Sequence, residues 1–403
     1  MSSIRRALLA ALLAAPFVSG QSLSGLWDAT IKSNGLEIPF RFEISGGGSG
    51  VRGSFFNGEE KETSASGKFE NGALLLRFDS YSTRLEATLK DGALDGTYGR
   101  EGRRYPFHAV RFTPPTAEAN AQAPSIAGLW EVAARSAKSG ERAWRFIVRQ
   151  SGAEVSAAIL RVDGDTGAIE GRYKDGKFVL SHFDGARPLL LEVTPQADGT
   201  LALVENGRNG LTAVRSDNAR AQGLPEPADP SRHTSVKDPS EPFHFSAPGL
   251  DGKLVSDRDA RFRDKVVIVA ISGSWCPNCH DEAPFLEELY RKYRSRGLEI
   301  VSLSFEQGEQ VKDPVQLRAF IREYGIDYTV LVPGERSELA AKVPQAVDLD
   351  CWPTTFYLGR DGKVRSVHAG FPGRASGEFH DELRHEVTTL IERLLAENSI
   401  SER

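Results

Sequence analysis

Three cysteines occur in 403 residues, and two of them, Cys276 and Cys279, are separated only by Pro277 and Asn278. Two thiols at this spacing can exchange with a disulfide: one sulfur attacks, and the other, a helical turn further on, closes onto the first and releases the product. The attacking sulfur must be a thiolate, and the start of a helix favours negative charge. Pro277 suits the first helical position, so Cys276 is expected at the N-cap, more acidic there than a free thiol at ~8.5. Cys279 is expected on the same face and less exposed. Residues 265–271 just upstream are apolar after the first, the pattern of a strand buried on both faces. A Cys-x-x-Cys pair that follows such a strand and opens a helix is a strong redox signal.

The elements needed to hold that pair are legible around it. A helix is predicted over 277–296, a strand over 299–305, and a helix over 314–324 ending at Gly325, a suitable left-handed cap. A strand near 328–332 and a short helix near 338–343 follow. Strands at 355–358 and 364–369 form a hairpin around Asp361-Gly362, and an amphipathic helix over 377–397 closes the domain. This is an α/β sheet with helices on both faces.

Trp275-Cys276-Pro277-Asn278-Cys279, together with Pro353 in Cys351-Trp352-Pro353-Thr354-Thr355, resembles the TlpA/ResA family of extracytoplasmic thioredoxin-like proteins. The opening Ala247-Pro248 and Asp251-Gly252-Lys253, and the segment 265–269, fit the same family. The resemblance implies that Pro353 is cis and faces the active cysteines, with Trp275, Trp352, Pro353 and Thr354 lining a groove for an extended substrate. It also implies a role for Glu282, three residues after the second cysteine. Thioredoxin's buried aspartate falls at Ala270 here, which leaves Glu282 to move the Cys279 proton; a solvated helix glutamate is the ordinary alternative. Two departures stand out: Asn278 fills the place before the second cysteine where the family often has proline, and residues 271–274 lack the usual aromatics. The dipeptide between the cysteines helps set reduction potential, so the direction of electron flow stays open.

Rival readings exist. Cys276-x-x-Cys279-His280 also fits covalent haem attachment, but the only methionine is Met1, which removes a methionine axial ligand. His280 is otherwise expected as an exposed first-turn residue. A peroxiredoxin-like peroxidase would need Pro-x-x-x-Thr-x-x-Cys, and residues 269–276 have neither the proline nor the threonine. Cys351 makes the cysteine count odd: a third redox thiol, an intermolecular hook, or a buried inert residue.

The remainder of the chain is β-rich and internally repeated. Gly25-Leu26-Trp27 recurs as Gly128-Leu129-Trp130, 40–42 matches 144–146, and Ala109-Val110-Arg111 recurs as Ala213-Val214-Arg215, at offsets of 103 to 104. Short alternating runs punctuated by Asn71-Gly72, Asp91-Gly92, Asp175-Gly176 and Asp198-Gly199 indicate hairpins. A Gly-x-Trp opening with a closing Arg resembles the lipocalin-type barrel, which implies Trp27 over Arg111 and Trp130 over Arg215. The aromatics Phe55, Phe56 and Tyr81 either pack in a core or line a pocket; in the latter case the repeats are a binding module and carry the main function.

The predicted organisation is a signal peptide over 1–20, β repeats over 21–112 and 126–215, linkers over 113–125 and 216–242, and a thioredoxin-like domain over 243–398. The fold class is therefore multidomain: two antiparallel β barrels or sandwiches followed by an α/β thioredoxin-like domain. Arg5-Arg6, the apolar run 7–18 and Val18-Ser19-Gly20 form a secretory signal of Sec type with cleavage expected after Gly20, placing the chain in the periplasm or outside the cell. A formal net charge of −5 gives no basic footprint and argues against nucleic acid. The expected activity is protein disulfide reduction on protein thiol or disulfide substrates, and the family resemblance implies recharging by a membrane thiol relay. Neither a metal nor an organic cofactor is expected.

Overall fold

The computed structural model describes residues 23–79 and 81–397. The expected signal segment lies outside them. Two nine-stranded antiparallel sheets come first, then a five-stranded mixed sheet with helices.

In each antiparallel sheet the first strand pairs with the second and with the last, which curls the sheet on itself. Gly25–Ser33 pairs with Leu36–Ser45 and with Arg103–Arg111; Gly128–Ala133 pairs with Ala143–Ser151 and with Arg208–Arg215. The hairpins turn where glycine pairs mark them. Asn71, Asp91 and Asp175 take φ near +50°, each followed by a glycine with φ near +80°, the two left-handed residues that a tight hairpin requires. Each sheet is clasped at its ends as the sequence implies. The Arg111 guanidinium lies 4.1 Å from the Trp27 ring and that of Arg215 lies 3.9 Å from Trp130.

The two copies then diverge. In the second, Ala143–Ser151 also pairs with Glu154–Arg161, which closes a ring of eight strands and leaves only the two-residue strand Gly164–Asp165 outside it. In the first, Glu60–Thr63 and Ser66–Glu70 stand at the two ends of an open sheet. Its aromatic core takes in Phe183 from the second copy, whose ring is 4.9 Å from Phe40 and 5.2 Å from Phe55. The repeats thus pack as one body.

The segments expected as linkers, 113–125 and 216–242, are partly helical and docked. Thr116 caps the helix Ala117–Gln122, and Asn120 Oδ1 accepts from the Ala153 backbone. Asp229 caps Pro230–His233, a good local start because proline at the first position has no N–H to leave unpaired. His233 then pairs with Asp350 at 2.6 Å, and Ser235–Val236 adds to Ala346–Val347. In place of plain linkers, Thr116 and Asp229 cap short helices and Pro230 opens the second.

The C-terminal sheet runs in the order Thr329–Leu331, Leu298–Ser304, Val266–Ser272, Thr354–Leu358, Val364–Ala369. Val266–Ser272 is central and buried throughout, parallel to Leu298–Ser304 and antiparallel to Thr354–Leu358. Helices Pro277–Tyr293, Val315–Tyr324 and Glu378–Ala396 cover it. Gly325 ends the second of these in the left-handed conformation. This is the expected thioredoxin-like arrangement, with the cysteine pair at the carboxyl end of the central strand.

Candidate active site

The chain leaves Val266–Ser272 through Gly273 and Ser274, and a buried carboxylate fixes that turn. Glu306 accepts from the Ser274 backbone at 3.1 Å, from Ser274 Oγ at 2.6 Å and from Ser304 Oγ at 2.7 Å. A side chain on Gly273 would meet Trp275 Nε1 at 2.4 Å, so only glycine lets that indole fold back to donate to the Phe305 carbonyl at 2.8 Å. Cys276 is then the N-cap of Pro277–Tyr293, and its sulfur accepts from the Cys279 backbone N–H at 3.3 Å. The same sulfur lies 3.6 Å from the Trp352 carbonyl oxygen. The Trp352–Pro353 peptide bond is cis. All three cysteines carry free thiols.

Cys279 does not lie deeper than Cys276, contrary to expectation: each is only 2% exposed. Burial pushes the Cys279 thiol well up, and its hydrogen bond to Cys276 and the nearby Glu282 push the same way. Glu282 faces the interior of its own domain and accepts from Thr355 Oγ1 at 2.6 Å. Burial raises its carboxyl to about 7, against the opposing pull of that hydrogen bond. Thr355 is the strand partner of Ala270, so the hydroxyl that holds Glu282 sits beside the position where thioredoxin keeps its aspartate. A carboxyl titrating near neutrality behind a thiol that retains its proton is suited to moving that proton.

Of the expected substrate platform, Trp275 and Trp352 stack edge to face at 5.2 Å, with the Arg336 guanidinium 4.9 Å from the Trp275 ring. Thr354 lines no groove: it is fully buried, its Oγ1 bonded to the Cys351 carbonyl at 2.9 Å. As the first residue of a strand between two neighbours, it points inward. The Pro353 carbonyl accepts from Gly370 N at 2.7 Å.

Residues 240–367 match the family model described as the AhpC/TSA family. The C-terminal domain belongs to this family. Among curated relatives, the thiol-disulfide oxidoreductase ResA of Bacillus cereus is 28% identical over 136 residues, 33% of this chain and 70% of that protein. ResA of Bacillus subtilis is 26% identical over 157 residues, 39% of this chain and 77% of the relative. ResA of Bacillus thuringiensis matches over 63% of its length. Among solved structures, a thiol:disulfide interchange protein of the thioredoxin family from Chlorobium tepidum is 21% identical, covering 40% of this chain and 100% of that one, with a TM-score of 0.31. The AhpC/TSA domain is an oxidoreductase of the thioredoxin fold.

The outer side of the AhpC/TSA domain's site helix is where the sequence was least informative. His280 is not an exposed first-turn residue. Its ring is buried, with Nδ1 2.9 Å from Tyr324 Oη, Nε2 2.9 Å from the Ser274 carbonyl, and the Tyr81 ring of the first repeat 5.1 Å away. Burial lowers its pKa to about 4, which keeps it neutral at ordinary pH. Tyr81 therefore packs across a domain boundary, whereas Phe55 is core and Phe56 lines a cleft between the repeats. Beside His280 a polar chamber of about 350 Å³ is lined by all three folded units, including Tyr81, Asp165, His182 and Asp281. Burial, then the neighbouring Asp165, pushes the Asp281 carboxyl well up.

Cys351 is fully buried, and burial drives its thiol pKa upward. With His233 and Asp350 it makes a cluster whose ligand atoms lie within 4.8 Å of one another. Lys138 of the second repeat reaches this cluster, its Nζ 3.7 Å from the Cys351 sulfur and hydrogen-bonded to the Asp350 carbonyl. An ammonium thus stands where a cation would.

Proposed function

We propose that this chain is an extracytoplasmic thiol–disulfide oxidoreductase that reduces protein disulfides with the Cys276/Cys279 dithiol. The observation that carries this reading is the Cys276 sulfur held at a helix start by the Cys279 N–H, with a proton-retaining thiol one turn away and Glu282 behind it. A thiolate on Cys276, supported by that N–H and the helix dipole, attacks a client disulfide. A Cys276–client bond forms and the other client sulfur leaves as thiolate. Glu282 takes the Cys279 proton, and Cys279 attacks the Cys276 sulfur. The Cys276–Cys279 bond closes, and the second client thiol departs. Two electrons have passed to the client, and an external dithiol, for which a membrane thiol relay is the natural source, restores the pair. Relatives named thiol-disulfide oxidoreductase support the reaction class. No helix among the described residues is long and apolar enough to cross a membrane. The extracytoplasmic assignment rests on the leader-like residues 1–20.

The reduction potential of the pair tests the direction. A value near ~−270 mV supports a reductant, and one near ~−120 mV would make the chain an oxidant instead. The peroxidase alternative predicts rapid stoichiometric oxidation of the reduced chain by peroxide; slow reaction is the outcome expected here.

A further inference from the structure

We propose that the turn Asp163-Gly164-Asp165 of the second repeat is a specificity gate for the dithiol, passing small disulfides to Cys276 and holding polypeptide disulfides off while it is docked. The inference rests on the dithiol reading above and names which substrates that site can take.

The turn lies on the backbone that borders Cys276. Gly164 makes a parallel β-bridge with Phe371, and Asn278 Nδ2, from between the two cysteines, donates to the Asp163 carbonyl at 2.7 Å. The approach is backbone to backbone, with glycine on both sides. A Cβ on Gly164 would meet Asn278 Nδ2 and the Phe371 carbonyl oxygen, each at 2.4 Å; one on Gly370 would meet the Asp163 carbonyl carbon at 2.2 Å. Both glycines take positive φ, +109° and +68°. Gly370 N in turn holds the Pro353 carbonyl at 2.7 Å, next to the Trp352 carbonyl that faces the Cys276 sulfur. The turn therefore occupies polar backbone edges on the face where an extended client would have to lie, and Asn278, Phe371 and both reactive sulfurs are buried in the docked state.

The contact is built to be reversible. Its clamps are polar: the Asp165 carboxylate accepts from Ser376 Oγ, Lys138 reaches Asp163 at 3.3 Å as well as the Asp350 carbonyl, and Arg149 donates to the Ala375 carbonyl at 2.7 Å. Its apolar content is small: Ala158 with Ala168 and Ala375, Val162 with Cys351 and Ala369, and the Tyr81 ring against His280. Interfaces of this kind between domains of one chain open and close, unlike the shared aromatic core that joins the two repeats.

Labelling of Cys276 in the full reduced chain tests the gate, using N-ethylmaleimide and a polyethylene-glycol maleimide, which share chemistry and differ in size, with the adduct located by peptide mass. Gly164→Val forces the turn off the site helix. The pair Lys138→Ala/Arg149→Ala weakens the clamps without touching the turn, and decides the matter should Gly164→Val not fold. The gate predicts that the large reagent lags the small one in the native chain and that undocking raises the large-to-small rate ratio at least about tenfold, since accessible population multiplies rate. The KM for insulin disulfides should fall while that for glutathione disulfide holds. Equal rates for the two reagents in the native chain, or a ratio unmoved by the variants, overturns the gate alone. Failure of N-ethylmaleimide to modify Cys276 in the native chain alone overturns the passage of small reagents, and its failure in the undocked variants as well overturns the dithiol reading beneath it.

Discussion

The helix Pro277–Tyr293 presents two faces that were made differently. Its inner face, with Cys279 and Glu282, is completed by its own domain: Thr355 from the neighbouring strand holds the carboxylate, and burial sets both groups' proton affinities. Its outer face, with Asn278, His280 and Asp281, is completed jointly: Tyr324 and the Ser274 carbonyl hold the His280 ring from the same domain, and the β repeats add Asp163, Tyr81 and the chamber that Asp165 and His182 line. In the reading proposed above, chemistry sits on the side that one domain completes, and access is governed from the side that the repeats help to cover. Substitutions on the two faces should therefore fail in different ways.

The largest effect expected is on the inner face. Glu282→Gln should slow turnover about a hundredfold, the usual scale of lost acid–base catalysis, measured on a small disulfide so that the gate is not limiting. The same change should stabilise the fold at alkaline pH. Because burial raises Glu282 from 4.5 to about 7, the folded chain keeps a proton that the unfolded chain has already lost, and stability declines as pH climbs between those values. Denaturant titrations should find the variant more stable than the parent by up to about 3 kcal/mol at pH 8, with the gap closing below pH 5.

Thr355→Val should cost less, roughly severalfold in turnover, because it removes one hydrogen bond that favours the charged carboxylate. The acid limb of the pH–rate profile should move to higher pH; an unmoved limb would mean that Thr355 only packs.

On the outer face, His280→Ala should lower stability by about 2 kcal/mol, through a lost buried ring and the Tyr324 hydroxyl left without it, the Ser274 carbonyl keeping Gln316, while turnover of a small disulfide changes by less than about threefold. A hundredfold loss there would erase the distinction between the faces. Since burial lowers the His280 pKa to about 4, from an ordinary 6.5, the stability it contributes is complete above 6.5 and is lost as pH falls toward 4, a decline the variant should lack. Smallest of all, Cys351→Ser should alter turnover by less than about twofold, because its thiol is buried and held in the protonated form.

The inner face was readable and the outer was not, for physical reasons. Periodicity and the apolar run before Trp275 place strand, turn and helix, and helix-start chemistry places Cys276, because all of these are local. Glu282 was singled out by the family resemblance, and its burial is what the structure adds. Thr355 could have been found by asking what faces Ala270 across the sheet, yet that needs the register. Glu306, which holds the turn before the cysteines, carries no local mark. Asn278 and Asp163 are 115 positions apart, and no periodicity encodes that meeting. The repeats were legible from recurring Gly-Leu-Trp and Asn-Gly or Asp-Gly turns, but not the closure of the second barrel, which depends on Val148 lying opposite Ala157. The helices within the presumed linkers were hidden by proline and charge, residues that serve caps as readily as coil.

The account stands most directly on which sulfur attacks and which resolves. The Cys279→Ser chain, incubated with glutathione disulfide and mapped by mass spectrometry without reductant, should accumulate one mixed disulfide, on Cys276, that persists because nothing one turn away can displace it. An unmodified chain, or glutathione found on Cys351 instead, would contradict the assignment.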